Sequence, residues 1–498
     1  MVDKMMRHGG NESRPLRLAI LAGEPSGERH GAALFTALRE LLAPEVVEAW
    51  GTGGEHMRAA GIDVVFDCAP FSAIGVANVF SSIPQLLAIR SDIFKRLRAA
   101  PPDILVLIDA GAFLVPIAKW AKSSKLCPVF YYFPPGSWKR PRVDSARIDN
   151  ASADERRLER KDTLAESTDL IVTPFLWSEQ ILKGRGANVR FVGHPALDIV
   201  KPELTDDEFY SRFGLDRQSP LIALLPGSRQ MEISHNLPTM LRTASKIARR
   251  ISGAQFALGL AQAANRDLVE EIIRREQRTG GAAEGLNLFI HQTGGKLVQI
   301  AQSSLTTPTP VLATNTGLKV APDEAEDLLS LRKKKISEVN RRDTGRPPVV
   351  PLVICDGLTY DVMARSDLVI TKSGTATLEA TILQRSMIII YKGPWLMNVE
   401  WKLRKKNLKI PHIGMPNLMA GERVFPELLG DDATPEAISE LAVDMLLQPE
   451  RLMQVKEKMN SLVAQYLGEP GGTLRAAKLL AQMLPQDREI TNNKNESN

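Results

Sequence analysis

Cysteine is scarce in this chain: Cys68, Cys127 and Cys355 are the only three in 498 residues. They are far apart and lack the paired spacing of zinc sites or disulfide frameworks, so a reducing compartment fits best. The seven histidines and the well-spaced acids form no metal-ligand pattern, and no metal or other cofactor is predicted. Long apolar runs are also missing. The longest, Ile104 to Ala118, is broken by Asp109 and falls short of the roughly 20 residues of a spanning helix. Residues Met1 to Arg14 are polar without a secretory apolar segment and read as a disordered start. Neither sign of charge dominates: 63 Lys and Arg against 58 Asp and Glu leave +5, too little to imply nucleic acid.

Hydrophobic residues make up 44% of the chain and charged residues 24%, a globular composition. At roughly 150 residues per domain, this length predicts two large domains or three smaller ones. Short β-branched runs alternate with amphipathic segments, the pattern of βαβ units and a doubly wound parallel sheet, so the fold class is α/β. Strands are expected at Leu16 to Ala22, Ile104 to Ile108, Val129 to Tyr132, Leu170 to Thr173 and Val189 to Val192, giving a first domain over 15–200. A polar, acidic linker, Lys201 to Asp216, precedes a second series at Leu221 to Leu225, Gln255 to Leu260, Leu352 to Cys355, Asp367 to Thr371 and Met387 to Tyr391. Helical periodicity then runs from Pro435 to Leu484, which closes a second domain over 217–484, and 485–498 read as a disordered tail. Between Ser303 and Pro351 a Pro-containing, mixed-charge stretch reads as a weakly ordered surface insertion with a short helix from Glu324 to Val339.

Three turns between a strand and a helix could admit an anion. The first holds Gly23-Glu24-Pro25-Ser26-Gly27; it lacks the Gly-Lys-Ser/Thr of a P-loop and the spacing of a dinucleotide fingerprint. The second is Pro226-Gly227-Ser228-Arg229, where a guanidinium sits beside turn amides. The third is Lys372-Ser373-Gly374-Thr375, opening a helix that carries Glu379. Plain helix capping explains each turn taken singly.

Taken in order, these segments resemble the lipid-A-disaccharide synthase family. The matching pieces are AGEPSGERHGAAL from Ala22, GTGGEHMRAAG from Gly51, ILVLIDAGAF from Ile104, FVGHPALD from Phe191, LLPGSRQMEI from Leu224, SDLVITKSGTATLE from Ser366 and MPNLMAGERVFPELL from Met415. The resemblance implies a GT-B architecture: two Rossmann-like domains facing a cleft, with a C-terminal helix returning to the first. It further implies a metal-independent, inverting transfer of an acylated glucosamine from UDP-2,3-diacylglucosamine to an acylated glucosamine 1-phosphate. The chain departs from the family's Ser-Pro-Ser and Trp-Ala-Trp turn at Tyr132 to Arg140, and has Ile74-Gly75 and Asn78 where Met-Gly and Glu are usual.

On this resemblance Asp109, which follows a strand, is the base that deprotonates the acceptor hydroxyl, or that base's close helper. Glu24, Ser26 and Gly27 would face the acceptor. Gly227, Ser228, Arg229, Ser373, Gly374 and Thr375 would hold the diphosphate, Glu379 the ribose hydroxyls, and Asn417 a place in the nucleotide-side loop. His30 reads as surface or core more readily than as a catalyst, and His194 either touches the sugar or serves the hinge.

An acylated substrate favours a cytoplasmic protein seated on the inner face of the membrane without spanning it. The segment Gly393 to Ile410 joins Trp395, Leu396, Met397 and Trp401 to Lys402, Arg404, Lys405, Lys406 and Lys409, as a membrane patch or as a solvated helix with its aromatics on the core. Phe71 to Ile89, with Ile74, Val79 and Phe80, reads as an acyl-chain groove or as ordinary helix core. Homodimer formation stays open. Three rival functions are a related UDP-sugar-dependent transferase acting on another lipid-linked acceptor, a UDP-sugar 2-epimerase, which shares the two-domain architecture, and a nucleotide-sugar-binding protein without activity.

Overall fold

The computed structural model describes residues 14–23, 25–68, 79–134, 163–261, 264–278, 286–291, 297–299, 350–393 and 412–485. Of the expected disordered start, Arg14 is ordered: its guanidinium donates to Asp103, with Nη1 to Oδ2 at 3.0 Å. The tail beyond 485, the segment expected as an insertion up to 349 and its helix Glu324 to Val339 lie outside the described residues.

The chain forms two compact units, Met1–Asp198 with Tyr466–Asn498, and Ile199–Gln465. The first contains β1 (Leu16–Ala22), α1 (Pro25–Leu42), β2 (Val47–Gly53), α2 (Glu55–Ala59), β3 (Asp63–Asp67), α3 (Val79–Ala99), β4 (Ile104–Ile108) and α4 (Gly111–Ser123). It continues with β5 (Val129–Tyr132), α5 (Thr163–Ser167), β6 (Leu170–Thr173), α6 (Leu176–Gly184), β7 (Val189–Phe191) and α7 (Ala196–Ile199). Its seven strands are all parallel, in the order β3-β2-β1-β4-β5-β6-β7.

Burial on both faces explains why the strand signal is a continuous apolar run rather than an alternation. Along β4, Ile104, Val106 and Ile108 enter one core layer, while Leu105 and Leu107 enter the other. The edge strand β3 and its neighbour β2 escape the sequence reading because DVVFD and VEAWGTG mix acids or glycine with few apolar residues and are only partly buried.

The second unit begins with α8 (Asp206–Phe213), β8 (Leu221–Leu225), α9 (Gln230–Arg250), β9 (Gln255–Leu260), α10 (Arg266–Arg278), β10 (Leu286–His291) and β11 (Leu297–Gln299). Then come β12 (Val350–Asp356), α11 (Thr359–Arg365), β13 (Leu368–Lys372), α12 (Thr375–Ile382), β14 (Met387–Tyr391), α13 (Met415–Ala420), β15 (Glu427–Leu429), α14 (Pro435–Leu447) and α15 (Pro449–Tyr466). Its sheet runs β11-β10-β12-β9-β8-β13-β14-β15, parallel except for the β10–β11 pair.

The acidic stretch expected as a linker is part of this unit. Thr205 and Glu208 form a reciprocal capping box that starts α8, and Phe209 and Phe213 enter the second core. Buried Asp361 accepts from the amides of Glu203 and Leu204, and Arg365 pairs with it at 3.1 Å.

The last helix, α16 (Gly472–Ala481), returns to the first unit. Ala476, Ala477 and Leu480, all fully buried, pack in one layer with Leu34, Phe35 and Leu38 of α1. Its small residues at 476 and 477 let it lie close against α1.

Leu480→Ala is expected to destabilise the first unit by about 2–4 kcal/mol. Hydrogen exchange should show the loss in α1 and β1; unchanged protection there would refute the packing role assigned to α16.

Candidate functional sites at the strand-order reversals

In a doubly wound sheet, ligands bind at the carboxyl ends of the strands where the order reverses. The reversals fall between β1 and β4 in the first unit and between β8 and β13 in the second. All three turns singled out from the sequence, and Asp109, follow one of these four strands.

At the first reversal the backbone is strained. Asp109 and Ala110 have φ of 56° and 42°, and Phe133, after β5, has 60°. Such conformations cost of order 1–3 kcal/mol each for residues other than glycine. They persist because their surroundings hold them: the Tyr131 hydroxyl donates to the Asp109 carbonyl at 2.7 Å, and the Phe133 amide donates to Val172 at 3.0 Å. Burial, and then the Asp109 charge, pushes the Tyr131 hydroxyl up, so it stays a donor. Gly23 is required here, because a Cβ on it would lie 2.0 Å from the Cβ of Ala110.

Glu24 lies outside the described residues, and Ser26 falls in the first turn of α1. Gly27, expected to face the acceptor, is instead buried: a Cβ on it would meet Ile108 at 3.4 Å, so it serves the close approach of α1 to the sheet. The next residue, Glu28, accepts from His56 of α2, Oε1 to Nδ1 at 2.9 Å. Both residues lie in matching segments of the sequence, where no local feature sets them apart.

The two histidines take structural places. His194 is 6% exposed; its Nδ1 accepts from the Ala196 amide and its own amide donates to Leu467 at 2.7 Å, tying the chain's exit from the first unit to its return. The Phe133 ring lies 4.6 Å from that of His30 and 5.6 Å from that of His194, and Phe175 is 5.1 Å from His194. The Nδ1 of His30 is enclosed without a hydrogen-bond partner. Burial, then the Arg29 charge, pushes His30 down to about 4; burial, then His30, holds His194 well below its ordinary value.

At the second reversal an internal anion occupies the turn. Gly227 has φ 120°, and the Glu232 carboxylate fills the space beside it, 2.4 Å from where a Cβ would stand. Glu232 Oε2 accepts from the Ser228 amide at 3.1 Å and the Arg229 amide at 3.4 Å, while Oε1 pairs with Lys372 Nζ at 2.7 Å. The expected phosphate seat therefore already holds a carboxylate, and Lys372 is its counter-cation. A Cβ on Gly374 would lie 3.3 Å from Lys372 Nζ, which puts that ammonium between the two turns. Arg229 lies exposed at the start of α9, 3.9 Å from Glu232 Oε1. Burial, then Glu232, pushes Tyr391 up, and Arg229 partly offsets this. The residue types at 232 and 372 were visible in sequence, but the sheet pairing that joins them was not.

Gly374 and Thr375 are exposed at the start of α12. The Ser373 hydroxyl is committed to the Ile413 carbonyl at 2.9 Å, and Glu379, one turn beyond Thr375, accepts from the Tyr360 hydroxyl at 3.2 Å. Asn417, expected beside the nucleotide, is fully buried. Its Nδ2 donates to Phe425 and Glu427, and its Oδ1 accepts from the amides of Val424 and Phe425. With both amide hydrogens and its oxygen engaged, it ties α13 to the chain that leads into β15.

Ile74, Trp395, Leu396, Trp401 and Lys405 lie outside the described residues, as does most of the Tyr132 to Arg140 turn; Val79 and Phe80 begin α3. Among the described residues no group of three or more His, Cys, Asp or Glu could hold a metal, and no helix is long and apolar enough to cross a membrane.

Two Rossmann-like sheets, parallel apart from the β10–β11 pair, define an α/β protein of the GT-B class. The S. aureus MnaA structure with UDP superposes with a TM-score of 0.52 at 11% identity, over 95% of this chain and 99% of that one. The Neisseria meningitidis UDP-GlcNAc 2-epimerase bound to UDP-GlcNAc gives 0.51 at 12%, over 94% and 99%. At such identity these likenesses show the fold alone. The sequence goes further: the lipid-A-disaccharide synthetase family matches residues 18–281 and 309–482. The lipid-A-disaccharide synthase of Geobacter metallireducens is 29% identical over 473 residues, covering 95% of this chain and 98% of its own. That of Syntrophus aciditrophicus is 28% identical over 469 residues, covering 93% and 97%. The chain belongs to the lipid-A-disaccharide synthetase family, and so to the glycosyltransferases of lipid A biosynthesis. The match is interrupted at 282–308 and resumes at 309, so most of the segment expected as an insertion aligns with the family.

Both histidines have folded-state values below that of the unfolded chain, so the unfolded state binds more protons as pH falls. Stability is therefore full above about pH 6.5 and declines as pH drops from there toward 4. His30→Gln should flatten the dependence of the melting temperature on pH between 6.5 and 5; an unaltered slope counts against this origin.

Proposed function

We propose that the second unit holds UDP-2,3-diacylglucosamine and that the first presents an acylated glucosamine 1-phosphate, yielding the β-linked disaccharide 1-phosphate and UDP. The observation that carries this reading is the coincidence of family motifs with both reversals: Asp109 after β4, Arg229 after β8, and the Ser373 to Thr375 turn after β13.

The acceptor hydroxyl attacks the anomeric carbon from the face opposite UDP, its proton passes to the Asp109 carboxylate, and the bond to the diphosphate breaks. Strain at Asp109 and Ala110, held by Tyr131, fixes the carboxylate-bearing backbone before substrate arrives. Charge growing on the diphosphate is met by Arg229 and Lys372, with the α12 turn beside them. For that, the diphosphate takes over the donors now engaged by Glu232, whose carboxylate swings toward solvent. Glu379 receives the ribose hydroxyls.

The acylated substrates are drawn from the inner leaflet, where the aromatic and basic residues from Trp395 to Lys409 favour peripheral attachment from the cytoplasm.

Incubation with UDP-2,3-diacylglucosamine and 2,3-diacylglucosamine 1-phosphate should release UDP and a disaccharide detectable by mass spectrometry; absence of that product removes the assigned substrates. Asp109→Asn should lower kcat by about 10²- to 10⁴-fold while UDP still binds, which separates an enzyme from an inactive nucleotide-sugar binder. Glu232→Gln keeps the shape and removes the competing charge, so calorimetry should show UDP binding severalfold tighter. Weaker binding would mean that Glu232 is needed in place.

A further inference from the structure

Glu28 is 7% exposed, yet among the described residues its carboxylate has one hydrogen bond, from His56, and its Oε2 is enclosed without a partner. Two other buried carboxylates are more fully paired. Asp361 takes two backbone amides and an arginine, and Glu427 takes the amides of Ile413 and Gly414 and the side chain of Asn417. Burying a carboxylate costs several kcal/mol unless it is well paired, so a purely structural tie between α1 and α2 would be poorly built.

The pair is nonetheless held firmly. A Cβ on Gly54 would lie 2.6 Å from Glu28 Oε2, so only glycine leaves room for the carboxylate. The Thr52 hydroxyl donates to the Ala22 carbonyl at 2.7 Å, and the Cys68 amide donates to Gly53 at 2.8 Å, fixing the ends of β1, β2 and the chain after β3. The His56 side chain is 37% exposed. A buried carboxylate that fixes one nitrogen of a half-exposed histidine leaves the other nitrogen oriented for a ligand.

Position indicates which ligand. His56 follows β2 and Asp109 follows β4, the two neighbours of β1, so two interstrand spacings of about 4.8 Å separate the strand ends by about 10 Å. A sugar bound over the end of β1, with its reacting hydroxyl at Asp109, would carry its anomeric substituent toward His56. We infer that Glu28 and His56 form the phosphate end of the acceptor site: His56 Nε2–H donates to the phosphate monoester on the acceptor's anomeric carbon. Glu28 is a positioning residue that accepts from Nδ1–H. No covalent bond changes in this binding step. This assignment rests on the acceptor proposed above.

The test is steady-state kinetics of the full chain with 2,3-diacylglucosamine 1-phosphate and with the same acceptor lacking its phosphate. His56→Gln should raise KM for the phosphorylated acceptor about 10- to 100-fold, the size of one charge-assisted hydrogen bond, with kcat and the KM of the UDP-sugar unchanged. The unphosphorylated acceptor should be insensitive. Glu28→Gln and Gly54→Ala should move the same KM in the same direction by a smaller factor. Equal losses on both acceptors, or a loss confined to kcat, would overturn the assignment. A wild type that turns over neither acceptor removes the proposed reaction and this site together, whereas an active wild type with unaltered discrimination in His56→Gln removes this site alone.

Discussion

A parallel strand can be followed by another only through a crossover, and crossovers in one sheet share a hand. From β1 the chain winds through α1 toward β2 and β3, then returns across the sheet to β4 and winds the other way. The carboxyl ends of β1 and β4 are thus left between connections that depart in opposite directions. The same holds at β8 and β13. Everything proposed about chemistry depends on this constraint, because it decides where a turn of ordinary composition becomes a place for a ligand.

At those places the molecule handles buried charge in two ways. Structural carboxylates, Asp361 and Glu427, are surrounded by backbone amides and hold loops. Glu232, at a reversal, has a comparable shell of two amides and Lys372 across the sheet, whereas among the described residues Glu28 is held by a single histidine. An incomplete shell is costly for stability and useful for exchange, since a ligand can replace what is only lightly held. The strain at Asp109 follows the same logic: local cost, offset by neighbours such as Tyr131.

The first unit also stitches together the two places where the chain crosses its boundary. Asp198 accepts from the amides of Gly471 and Thr473 at the start of α16, and Arg475 donates to the carbonyls of Val192 and Glu469. With His194 bonded to Leu467, the outgoing and returning segments form one knot of hydrogen bonds. Asp198, Arg475 and the glycines at 193 and 471 were invisible as a group in sequence, because 273 residues separate Asp198 from Gly471.

Much was legible from composition and order. The doubly buried strands β1, β4, β5, β6, β8 and β14 announce themselves as apolar runs, because both faces need hydrocarbon. The half-exposed β2, β3 and β15 do not. The three turns and Asp109 were readable because strand, glycine and helix start are local features. Gly27 and Asn417 belong to matching motifs, but what each touches, Ile108 for one and the chain from Val424 to Glu427 for the other, is set by packing that no local feature shows.

By itself the sequence determined the class, the alternation of elements and the identity of the motifs, since all three depend on neighbours within a few residues. Tertiary structure alone decided which charges meet. Lys372 reaches Glu232 because β13 pairs with β8, and His56 reaches Glu28 because β2 pairs with β1. Electrostatic contacts act over a few ångströms of space, and only the sheet converts a separation of 140 residues into that distance.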